Sequence, residues 1–119
     1  MLIRKDQFDE MAIPNIARFI ERAIAFLYEN FPESLDEDTD ELTETVGSLI
    51  EKADSYGLVT EQQAMNYIIS SWLLGVDFDK EFPAAKKTLN SKDFSPDEKS
   101  DWLAKWTEKV FAAFEEEEK

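Results

Sequence analysis

The chain has 119 residues, 13 Lys and Arg against 27 Asp and Glu, no His and no Cys. That length suits one domain, and 43% apolar residues with nine Phe, three Tyr and three Trp set it apart from disordered chains. The missing His and Cys exclude the usual zinc sites, Ser-His or Cys-His nucleophiles and disulfides, while a net charge of −14 disfavours nucleic acid and anionic lipid as partners.

A helical period runs through the whole sequence. Asp6 to Ile13 carries Phe8 and Met11 three apart. Pro14 then removes a backbone donor and disfavours helix at Ile13, which predicts a kink or short break. Ile16, Phe19, Ile20, Ala23, Ile24, Leu27 and Phe31 recur at steps of three and four, one apolar stripe that stops at Phe31-Pro32. Phe26 and Tyr28 lie off that stripe.

Leu42, Val46, Leu49, Ile50 and Ala53 form a second stripe. Tyr56-Gly57-Leu58 reads as its glycine C-cap, with an apolar residue behind to close the turn. Thr60-Glu61-Gln62-Gln63 is a capping box that restarts a helix at once. This third helix turns Ala64, Met65, Ile68, Trp72 and Leu73 inward and ends near Gly75. Pro83 to Leu89 reads as a short helix. Ser95-Pro96-Asp97-Glu98 is a second capping box, opening a last helix with Trp102, Leu103, Trp106, Val110 and Phe114. Residues 115–119 read as a frayed acidic end. No strand alternation competes, so the expected fold is an all-α bundle of four main helices plus one short helix, spanning 1–119. Short connections predict antiparallel neighbours.

The acidic excess is concentrated. Between Ala23 and Asp79 there are 13 acids and one base, Lys52, so that segment carries −12 of the total −14. Asp36, Asp38, Asp40, Glu41 and Glu44 lie in its densest part, with no base among them. One reading is a solvated loop whose last acids favour a helix N-terminus, with Thr39 or Asp40 as cap. The other is an acidic face that steers a basic partner.

Catalytic and metal motifs fail on inspection. Asp36-x-Asp38-x-Asp40 imitates a calcium loop, yet Glu41 stands where Gly is needed and Gly47 where a bidentate Glu is needed. Asp77, Asp79 and Glu81 could approach a cation, but Gly75 and Phe78 point to a structured turn. There is no Gly-rich phosphate loop and no G-x-S-x-G elbow. Accidental carboxylate pairs are common among 27 acids, so none is evidence of hydrolysis. The expectation is a protein that is not an enzyme and uses no cofactor or metal.

Trp102, Trp106 and Phe111, with Phe114 beyond, spread over more than one narrow stripe of the last helix. Core packing is the plain reading. A helix so broadly apolar either sits centrally or offers a second face to a partner, and Trp is enriched among binding hot spots.

Tyr56-Gly57-Leu58-Val59-Thr60-Glu61, Leu74-Gly75-Val76-Asp77-Phe78-Asp79, Asn30-Phe31-Pro32 and Phe82-Pro83-Ala84 together resemble a known family. It is the small α-helical accessory proteins encoded beside effector, spike and tip-protein genes of bacterial type VI secretion systems. The resemblance is most specific from Tyr56 to Pro83. Pro14 and Ser71-Trp72-Leu73 depart from the family pattern. What it implies is a non-enzymatic accessory binding an effector toxin or a spike- or tip-associated protein, as chaperone or adaptor. The alternative is an immunity protein that inhibits a cognate, basic, nuclease-like toxin. A plain acidic bundle with no secretion role is the third reading. The expected protein is cytoplasmic, with no apolar run near the ~18 residues of a membrane span, and alone it is a monomer or weak dimer. Its candidate partner-binding residues are Trp102, Trp106, Phe111, Asp36, Asp38, Asp40, Glu41 and Glu44.

Overall fold

The computed structural model describes residues 13, 15–31 and 37–117. The first helix, α1 (Ile16–Asn30), begins at Asn15, whose side-chain oxygen accepts from the Arg18 N–H at 3.1 Å. Its stripe buries Phe19, Ala23, Ile24 and Leu27, and Phe31 is buried just past its end. Two stripe assignments change. Ile16, in the first turn, is 55% exposed, and Phe26 is buried, so over its later turns the covered arc of α1 is wider than a single seam. The Asp6–Ile13 segment with Phe8 and Met11 lies outside the described residues apart from Ile13, as do Pro14, Pro32 and Asp36.

α2 (Thr39–Ser55) is capped by Asp38, not by Thr39 or Asp40. The Asp38 carboxylate accepts from the Asp40 and Glu41 N–H groups at 2.8 and 3.3 Å, while Thr39 is already helical. Its end is the expected glycine turn. Gly57 has φ +84°, its N–H donates to Asp54 O, and the Leu58 N–H reaches back to Ala53 O at 2.9 Å. Leu58 is buried behind it.

α3 (Glu61–Leu74) starts with the Thr60/Gln63 capping box and stops at Gly75, at φ +107°. It is buried almost all round, including Glu61, Gln63, Asn66, Ser70 and Ser71. Its apolar residues are not confined to one side, and hydrogen bonds to α6 explain how its polar side chains can be central. Gln63 Nε2 donates to Asp97 at 2.7 Å, Asn66 Nδ2 donates to Ser100 at 2.8 Å, and the Ser70 and Thr107 hydroxyls pair at 2.7 Å.

α4 (Phe78–Glu81) is a single turn, α5 (Pro83–Leu89) the expected short helix, and α6 (Pro96–Glu117) the long last one. Ser95 and Glu98 complete the α6 capping box reciprocally, at 3.2 and 3.0 Å. The architecture is an all-α bundle of four main helices with α5, and the α4 turn in addition.

The three α3–α6 hydrogen-bond pairs climb in number together, so these two helices run parallel. That corrects the antiparallel expectation for this pair. α4 and α5 take the chain back before α6 begins, which a count of short connections does not reveal. No described helix is long and apolar enough to cross a membrane.

Candidate partner-binding surface

The exposed face of α2 is a ridge of carboxylates. Asp40, Glu44, Glu51 and Asp54 are spaced four, seven and three apart, and at 100° per residue they share one side, opposite Leu42, Val46, Leu49 and Ala53. All four are exposed, and Glu41 and Asp38 flank their N-terminal end. Lys52 does not neutralise them. Its Nζ turns towards the α3–α4 turn, donating to Val76 O at 2.9 Å and Asp79 Oδ1 at 3.2 Å, with Asp77 at 3.7 Å.

Asp79 is 1% exposed, so it needs that partner. The Tyr56 hydroxyl supplies a second bond, at 2.7 Å. Burial pushes the Asp79 pKa up, but hydrogen bonds from Tyr56 and Lys52, with the lysine charge, outweigh it and hold the carboxyl below its usual range. Burial and the bond to Asp79 push Tyr56 up to about 12. Tyr67, fully buried, is raised by burial and by the Asp79 charge. The cluster is a latch between α2 and the α4 turn, which settles Asp77-Phe78-Asp79 as a structured turn. Among the described residues no group of three acidic side chains converges as a metal site requires.

An apolar groove borders each side of the ridge. On the α3 side Leu42, Leu49, Trp72 and Val76 line a groove of about 410 Å³, with Glu37 and Glu41 also in its wall. On the α1 side Ile13, Ile16, Ile50, Leu58 and Val59 line one of about 370 Å³, bordered by Glu51 and Asp54. The Ile13 N–H donates to Val59 O at 3.3 Å along this second groove. The Trp72 ring is braced by Phe31, with centroids 6.2 Å apart.

The predicted aromatic residues sit elsewhere. Trp102 and Trp106 stack at 5.0 Å and 13°, and Trp106 meets Phe82 edge-on at 5.4 Å and Phe78 at 6.4 Å. Both indoles are half-buried, as is Phe111, while Phe114 is 42% exposed. Trp106 therefore packs α6 against Phe78 of α4 and Phe82 at the start of α5, with Trp102 stacked on it.

The candidates of the sequence thus fall into two sets that the fold keeps apart. Asp38, Asp40, Glu41 and Glu44 lie together on α2, and Trp102, Trp106 and Phe111 lie on α6, which packs on another face of α3. Glu37, Glu51, Asp54, Trp72 and Val76 belong to the acidic surface and were missed. Glu51 and Asp54 were legible as the polar face of the second stripe. Trp72 and Val76 were not, because their exposure depends on how α3 leaves the bundle at Gly75. No known protein family, curated protein or solved structure matches the chain.

Proposed function

We propose that this protein is a non-enzymatic accessory that binds one protein partner of a bacterial type VI secretion effector cluster, as chaperone or adaptor in the cytoplasm of the producing cell. The observation that carries the binding role is the α2 ridge, flanked by two apolar grooves, with Lys52, the one base within α2, drawn away by Asp79. Clustered charge of one sign speeds encounter with a basic partner, and adjacent apolar surface gives the encounter something to bury. The link to effector clusters comes from the resemblance at Tyr56–Glu61 and Leu74–Asp79, segments that here form the glycine turn after α2 and the latched turn after α3.

A second reading is favoured by the same ridge. Four carboxylates in a line suit the active cleft of a basic nuclease, which would make the protein an immunity factor. The test is the activity of the effector encoded beside this protein, assayed alone and in stoichiometric complex. Chaperone or adaptor action predicts tight binding with activity retained and solubility or export improved. Full inhibition on binding assigns immunity, and absence of binding overturns both.

A further inference from the structure

Of the two grooves, the one between α2 and α3 combines features that specify its occupant. Its floor is apolar, from Leu42, Leu49 and the braced ring of Trp72, and Val76 closes one end at 50% exposure. Glu37 and Glu41 stand in its wall, both exposed, and the capping Asp38 beside them offsets the positive end of the α2 dipole. At about 410 Å³ it holds a few side chains rather than a large cofactor. Two helices form its sides and the backbone of both is satisfied internally, so it offers no edge for strand addition. The α2 residues that line it, Glu41 to Leu49, span roughly 12 Å, about two turns of helix.

We infer that this groove receives a basic amphipathic helix of the protein partner, with bulky apolar side chains against Trp72 and Leu49 and Lys or Arg against Glu37 and Glu41. The inference rests on the binding function proposed above and names the chemistry of its partner. Apolar anchors at steps of three and four fill a two-turn groove, and a cation at its rim gains from both carboxylates and from the indole face.

The test uses a synthetic helix of about 18 residues with Leu on one face and Lys elsewhere, and a Glu-for-Lys counterpart. Binding is followed by Trp fluorescence and calorimetry on the full chain. Val76→Glu and Glu41→Gln are the test variants, and Asp101→Asn, on α6 and outside both the ridge and the grooves, is the control. All three positions are exposed, and thermal melts confirm folding.

The Leu/Lys helix should bind and the Leu/Glu helix should not. Glu41→Gln should weaken binding severalfold and Asp101→Asn by less than about twofold. Val76→Glu decides between groove docking and diffuse charge attraction. It makes the surface more acidic yet spoils the apolar floor, so docking in the groove predicts about tenfold weaker binding and mere charge attraction predicts tighter binding. Tighter or unchanged binding by Val76→Glu overturns the inference, as does failure of the Leu/Lys helix to bind. Self-association of the wild type that Val76→Glu abolishes overturns it in favour of a second copy. The effector itself separates the two levels of the proposal. If it binds wild type and Val76→Glu equally, the groove assignment fails and the binding function stands.

Discussion

Lys52 Nζ lies 3.2 Å from the buried carboxylate of Asp79, and this pairing shapes both stability and surface. Inside, it lets a carboxylate stand in the core between α2 and α4. Outside, it removes the one base between Ala23 and Asp79 from the acidic ridge.

The ridge should act on encounter more than on the bound state. Replacing Asp36, Asp38, Asp40, Glu41 and Glu44 by Asn or Gln should slow association with the effector roughly tenfold at low salt and flatten its salt dependence. Asn at 38 still caps α2, so folding is preserved. Stopped-flow kinetics at several ionic strengths checks this, and an unchanged association rate contradicts steering.

The latch gives stability a defined pH window. Unfolded Asp titrates near ~3.9, and Asp79 is held lower in the fold, so its contribution is complete above that pH and is lost as pH falls through the folded value. Tyr56 is raised from about 10 to about 12, so its contribution is complete below the unfolded value and drains as pH rises through the folded one. The stability of wild type minus Asp79→Asn should therefore be largest from about pH 5 to 9 and shrink on both sides. Taking the difference removes the general effect of relieving self-repulsion among the other acids. Urea titrations across pH measure it, and a flat difference contradicts the latch.

Ser70 and Ser71 are neighbours on α3 with opposite circumstances. The Ser70 hydroxyl bonds to Asn66 O at 3.0 Å and to Thr107, whereas the Ser71 hydroxyl is buried with no hydrogen bond. Ser70→Ala should cost about 1–2 kcal/mol by leaving Thr107 unsatisfied, while Ser71→Ala should be neutral or stabilising. Equal losses in chemical denaturation contradict this account of α3.

Trp106 separates packing from binding on α6. It touches Phe78, Phe82 and Trp102, so Trp106→Ala should destabilise the free protein by about 3 kcal/mol. Effector affinity should change by less than about threefold at temperatures where the variant is folded, because the acidic groove lies elsewhere. A stable variant with lost affinity places the interface on α6.

The helix boundaries were legible because local chemistry sets them. Gly57, Thr60 with Gln63, Pro83 and Ser95 with Glu98 act within a few residues of chain, and each lies where its spacing placed it. Relations between helices were not. The parallel course of α3 and α6 depends on the path through α4 and α5, and polar α3 residues such as Asn66 and Ser70 declare themselves core only beside Ser100 and Thr107. The pairing of Lys52 with Asp79, 27 residues further along the chain, exists only once the fold brings them together. The acids of α2 could be found from sequence, but the Trp72 groove beside them could not.

The most direct test of the account is the affinity of the proposed effector partner for wild type and for the variant carrying Asp40→Lys, Glu44→Lys, Glu51→Lys and Asp54→Lys, four exposed positions whose side chains carry the ridge. A partner captured by the acidic face should bind the variant at least about a hundredfold more weakly, with both proteins still folded. Equal affinity would contradict the claim that this face is the binding surface.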